Sequence, residues 1–136
     1  MSNITELVAA DKNLSTLLRG VKAADMETEL SQKGPFTVFA PSESAFGKLP
    51  QGELPFLLKP ENKIILKTLL DSHIIPGKTA FKDFRDGQKL TTISGRELEV
   101  KVLNGSVSIN GATILGRDQD ATNGIIHSLD IVIPAD

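Results

Sequence analysis

Two histidines, His73 and His127, are the groups in this chain best suited to proton transfer, because imidazole is the side chain that titrates near neutral pH unaided. Serines and aspartates are also present, so a Ser-His-Asp hydrolase is the first chemistry to weigh. That chemistry favours a serine on a sharp strand-to-helix turn, and no Gly-x-Ser-x-Gly segment occurs. Both histidines, moreover, sit in apolar patterns. The two-residue strand period places Ile125, His127, Leu129, Ile131 and Ile133 on one face, with Ile126, Ser128, Asp130 and Val132 on the other. His73 follows Leu66 and Leu69 at helical spacing. A histidine between isoleucines is poorly placed for a substrate and must satisfy its nitrogens internally. Thr37 and Ser42 are the expected partners of His127. We therefore read both as core histidines, expect at least one to be buried and neutral, and assign no catalytic residue and no enzyme activity.

Metal chemistry has equally little to work with. Asp118 and Asp120, in Arg117-Asp118-Gln119-Asp120, could offer carboxylates to calcium, but too few oxygen ligands follow in order. This run reads as a solvated connection between strands. Two histidines and no cysteine speak against structural zinc, and disulfides and thiol chemistry are excluded. No metal and no cofactor is expected.

The elements that must position these residues change character along the chain. At 136 residues one domain, 1–136, is expected, with enough chain to bury a real core. The first third reads as helical: Ile4, Leu7 and Val8, then Leu14, Leu17, Leu18 and Val21, have helical spacing, with Asp11 or Asn13 as the second cap. A short helix over 26–30 follows, and Gly34-Pro35 ends helical structure. Residues 36–41 read as a strand closed by Pro41, and Ser42 caps a helix carrying Ala45 and Phe46. Residues 60–72 form a helix with Ile65, Leu66, Leu69 and Leu70 as its apolar stripe. Beyond Lys89 the chain reads as strands. Asn104-Gly105 and Asn110-Gly111 are two-residue hairpin signals, and 121–134 is a turn followed by a long strand ending at Pro134. Helices first and strands later define an α+β domain.

A formal net charge of −2 argues against a nucleic-acid surface. No run approaches the ~20 apolar residues that span a bilayer as a helix. The N-terminus lacks the basic start and apolar core of a signal peptide, so the chain is either cytoplasmic or has lost a leader.

Three segments, in order, resemble the fasciclin-type (fasciclin I-like) adhesion domain. Gly34-Pro35-Phe36-Thr37-Val38-Phe39-Ala40-Pro41, with Ser42, Ala45 and Phe46, resembles its first block (34–46). Leu69-Leu70-Asp71-Ser72-His73-Ile74-Ile75 resembles its central tyrosine-histidine segment (69–75), with Ser72 where Tyr often stands. Residues 121–134, with Asn123, Gly124 and His127, resemble its second block. The resemblance implies a wedge of antiparallel strands flanked by N-terminal and central helices. Thr37, Phe39, Pro41, His73, Asn123, Gly124 and His127 are its structural motif residues. It also implies a secreted or cell-surface adhesion domain, monomeric, that binds a matrix or surface protein or a glycan. Animal members carry an Asp-Ile pair before the second block that is associated with integrin binding; Asp118 and Gln119 stand there in this chain. Asp118, Gln119, Ser72 and His73 are thus the candidate partner-binding residues. The alternative is a carrier or receptor for a small hydrophobic or glycan ligand, which a pocket lined by Phe81, Phe84 or the Leu54-Phe56-Leu57 stretch would favour. Asn3, Asn13 and Asn104 match the N-glycosylation pattern.

Overall fold

The computed structural model describes residues 3–32 and 34–133, without the side chains of Arg117 and Asp118. Its first helix, α1 (Ile4–Ala10), is closed by a capping box. Asn3 Oδ1 accepts from the Glu6 amide at 2.8 Å, and Glu6 Oε1 accepts from the Asn3 amide at 2.9 Å. Asp11 caps a single 3-10 turn over Lys12–Leu14, ahead of α2 (Ser15–Ala23). No side chain of its own caps α2; instead the Thr16 amide donates to the Glu43 carboxylate. Glu43 lies in α4 (Glu43–Gly47), where Ser42 is the N-cap and accepts from the Ala45 amide at 3.3 Å. Helices α3 (Glu27–Ser31), α5 (Glu53–Leu57) and α6 (Lys63–Asp71) complete the helical layer.

The strands are β1 (Phe36–Pro41), β2 (Ile74–Pro76), β3 (Lys89–Thr91), β4 (Glu97–Leu103), β5 (Ser106–Ile109), β6 (Ala112–Ala121) and β7 (Gly124–Leu129). They form one sheet in the order β2-β1-β7-β6-β5-β4-β3. Hairpins build its far half. Asn104 and Gly105 have φ of 52° and 83°, and Asn110 and Gly111 have 49° and 89°, the paired positive φ that Asn-Gly supplies in tight hairpins. The Ile93 amide donates to the Ile74 carbonyl at 2.9 Å, joining the chain after β3 to β2 and curling the sheet toward a barrel. The ladders are antiparallel except that of β1 with β7, which is parallel. These two strands stand far apart in sequence, so the chain between them provides the long crossover a parallel pair requires.

Two sequence expectations are corrected here. Residues 117–121 are not a solvated connection but the second half of β6, and the turn comes at Thr122-Asn123. Register shifts between Ile114 and Gly116 and between Gly116 and Gln119 interrupt the strand period, which is why it was invisible. The last strand stops at Leu129 and does not run on to Pro134, which lies outside the described residues. Asp130 Oδ1 accepts from the Thr113 amide at 2.8 Å, substituting a side chain for the ladder.

Both faces of β7 are buried, because each supports a separate core. Ile126 packs with Val38, Ala40, Ile4, Leu17 and Leu70 under the helices. Leu129 packs with Phe39, Phe84, Leu98, Ile109 and Ile133 inside the curled sheet. β1 and β7 are therefore the shared wall of the domain.

Candidate functional site

Both histidines lie in this wall and its margin, fully enclosed. His127 stands beside Phe39 in the parallel ladder. Its ring lies 6.2 Å from that of Phe39 and 5.5 Å, edge-on, from that of Phe84. Its Nε2–H donates to the Thr79 carbonyl at 2.8 Å, so the expected pairing with Thr37 or Ser42 is replaced by a backbone partner. Thr37 serves the same loop. Its hydroxyl donates to the Gly77 carbonyl at 2.7 Å and accepts from the Thr79 amide at 2.9 Å. The segment after β2 is thus pinned across β1 by Thr37 and His127 together.

His73 follows α6 and its C-cap residue Ser72. Its Nδ1 lies 2.8 Å from the Leu69 carbonyl, and its Nε2 lies 2.9 Å from the Ile133 amide. A carbonyl can only accept and an amide can only donate, which fixes the neutral tautomer with the proton on Nδ1. Burial, with the positive charge of Arg96 adding to it against the Leu69 hydrogen bond, lowers the pKa of His73 to about 4.

The turn between β6 and β7 carries the other motif residues. Asn123 Oδ1 accepts from the Ile4 amide at 2.9 Å, and its Nδ2 donates to the carbonyls of Leu30 and Gln32, each at 2.7 Å. One side chain thereby ties α1 and the end of α3 to the shared wall. Asn123→Ala would strand a buried amide and two carbonyls, each worth ~1–3 kcal/mol when left unpaired. We expect a loss of about 3 kcal/mol in urea unfolding, with faster amide exchange in α1; a change below ~1 kcal/mol would contradict this account. Pro41 closes β1 opposite Leu129, and Gly124 opens β7 opposite Phe36.

Of the candidate contact residues, Gln119 lies half-buried in β6 opposite Ile126, and the side chain of Asp118 falls outside the described residues. Ser72 and His73 are 5% and 2% exposed. Ser72 belongs to a chain of hydroxyls: it donates to the Thr68 carbonyl at 2.9 Å and lies 2.9 Å from Ser94 Oγ, which lies 2.8 Å from Thr92 Oγ1. These bonds fasten the end of α6 to the turn between β3 and β4. On the opposite side of that helix, Lys67 bridges Asp71 at 2.9 Å and Glu29 at 3.2 Å. Burial and the nearby Asp71 carboxyl raise the pKa of Glu29.

Along α6 runs an open groove of about 790 Å³, walled by Phe56 and Leu57 of α5, by Ile64, Ile65 and Leu69 of α6, and by Ser94 and Arg96. Sequence reasoning named Phe56 and Leu57 for such a pocket but not Ile64, Ser94 or Arg96. Phe84 is buried within the sheet and lines no part of this groove. Ile65, expected in the core-facing stripe, is 50% exposed, while Leu66 and Leu70 face inward. The signal was present: Ile64-Ile65-Leu66 and Leu69-Leu70 wrap farther around a helix than one core face needs. Among the described residues no group of three or more His, Cys, Asp or Glu is arranged to hold a metal ion.

The arrangement defines an α+β scaffold in which a helical layer covers a curled, mostly antiparallel sheet and the histidines are built into the wall between two cores. The chain belongs to the fasciclin domain family, which it matches over residues 12–134. It is 45% identical over 130 residues to protein sll1483 of Synechocystis, covering 96% of this chain and 72% of that protein. It is 36% identical over 133 residues to the uncharacterized protein sll1735 of the same organism, covering 98% of each. Its fold superposes with a TM-score of 0.88 on a FAS1 domain pair from the insect cell adhesion molecule Fasciclin I. That match has 19% identity and covers 98% of this chain and 51% of the other, about half of the pair. Among the described residues no helix is long and apolar enough to cross a membrane.

Proposed function

We propose that this domain is a non-catalytic adhesion module, working outside the cell or at its surface, that binds a protein or glycan partner without covalent chemistry. The observation that carries this reading is the commitment of both ring nitrogens of His73 to backbone groups inside the core. His127 is likewise enclosed and bonded to Thr79. The groups fittest for acid–base chemistry serve the scaffold and do not face a substrate. The structural likeness to a domain pair whose printed title calls it a cell adhesion molecule supports the same reading. Asp118 and Gln119 on β6, and the α6 end at Ser72 and His73 reached past Ser94 and Arg96, are the proposed contact regions.

Surface exposure of the native gene product tests it. Intact cells treated with protease or a domain-specific antibody, with lysed cells as control, are expected to show the domain accessible before lysis. Signal confined to lysed cells would remove the adhesion reading while leaving the fold assignment untouched.

A further inference from the structure

The groove along α6 is the largest anomaly on this surface. Phe56, Ile64 and Ile65 are 47%, 80% and 50% exposed and converge on one concavity. Scattered apolar side chains on a surface mean nothing, but clustered ones in a concavity mark a binding site. Its volume of about 790 Å³ lies within the ~300–1,000 Å³ range of small-ligand sites.

The two ends of the groove differ in chemistry. Ile64 and Ile65 stand at the start of α6, and Ser72 caps its end. At ~1.5 Å per residue these ends are about 12 Å apart. The Ser72 end meets Ser94, Gly95 and Arg96. There the hydroxyl hydrogens are engaged within the protein: Ser72 donates to Thr68, Thr92 lies within bonding distance of the Arg96 carbonyl, and Ser94 bridges Ser72 and Thr92. The hydroxyls make this end rigid and polar, and Arg96 gives it a permanent positive charge. That charge is close enough to act on His73. Glu53, on α5, is the acidic residue of the lining and disfavours a second anionic group.

We propose that the groove binds one carboxylate amphiphile of fatty-acid type, its apolar chain along Phe56, Ile64 and Ile65 and its carboxylate beside Arg96. A second copy of the chain is the weaker occupant: the groove walls fall far short of the ~800 Å² per partner of a standard interface. A neutral chain would leave the charged end without a complement, and a dianionic head would meet Glu53. This ligand site is independent of the adhesion reading and survives its failure.

Fluorescence of cis-parinaric acid tests it cleanly, since the chain has no Trp or Tyr to interfere. The expected result is saturable enhancement with one probe per chain. Palmitate should displace the probe at about tenfold lower concentration than hexadecanol, a difference of ~1.4 kcal/mol. Ile65→Asp should weaken probe binding by about tenfold or more, with its urea midpoint at the wild-type value as evidence that it folds. Ile64→Asp, at the more exposed position, is the second variant should Ile65→Asp lose structure. Arg96→Gln should erase the preference for palmitate. Leu103→Asp, at a residue 72% exposed and outside the groove lining, should change nothing. Non-saturable binding, equal loss in Leu103→Asp, or an unchanged palmitate preference in Arg96→Gln overturns the proposal. Recruitment to phosphatidylglycerol vesicles without displacement of the probe by free palmitate would assign the groove to a membrane surface and overturn it too.

Discussion

Gly124→Ala is expected to lower stability by at least ~3 kcal/mol, or to prevent folding altogether. Gly124 faces Phe36 at the start of the parallel ladder. A methyl group there would lie 2.0 Å from the Phe36 carbonyl oxygen and 2.9 Å from Ile4 Cδ1. The first clash is with backbone and no rotamer change relieves it. β1 cannot move away, because β2 holds its other edge and the Phe36 amide donates to the Asn123 carbonyl at 2.9 Å. Relief requires opening the β1–β7 pair, the wall that both cores share. Gly47→Ala is the matched control: it ends α4, and an added Cβ there meets nothing within 4 Å. Helix propensity makes that change neutral to stabilising by up to ~1 kcal/mol. Urea unfolding of the two variants against the wild type decides the matter, and equal midpoints would refute the shared-wall account.

The importance of that wall was only half legible in the sequence. Local chemistry was readable. The Asn-Gly pairs at 104–105 and 110–111 marked their hairpins, Ser42 marked its cap, and β1 announced itself by composition and its closing proline. The capping box at Asn3 and Glu6 was equally readable but went unremarked. What could not be read depends on partners distant in sequence. Nothing local says that β1 pairs parallel with β7, that Thr79 receives the His127 proton, or that Asn123 reaches Ile4. Two bulges scrambled the period of β6, and a strand buried on both faces shows no alternation to recognise. The groove suffered from a different limit. A helix with apolar residues around most of its circumference declares that it is covered, and Ile64 and Ile65 show that on one side it is not. In both cases family resemblance supplied the architecture, while the contacts that make it work had to be seen.

His73 makes the second large prediction, because its pKa near 4 couples folding to pH. In the unfolded chain the same ring titrates near 6.5. Between these values the unfolded state binds a proton that the folded state refuses, so stability falls as pH drops. The contribution is fully present above pH ~6.5, declines through the window, and is lost once pH reaches about 4. The difference corresponds to about 3 kcal/mol, a large share of a small domain's stability. The structural cause is specific. Protonation would place an Nε2–H against the Ile133 amide, which can only donate, in a site that excludes water and lies within reach of the Arg96 charge. Glu29 acts with the opposite sign: its raised pKa means the folded state takes up its proton more readily, so acidification favours folding there. The Glu29→Gln variant should therefore lose stability more steeply with acid than the wild type. In His73→Asn, less stable at neutral pH, the slope between pH 6.5 and 5 should largely vanish. Urea midpoints measured across that interval for the three proteins provide the test. A wild-type profile as flat as that of His73→Asn would mean that the imidazole opens to solvent or takes up its proton in place, and the enclosed, single-tautomer histidine described here would have to be given up.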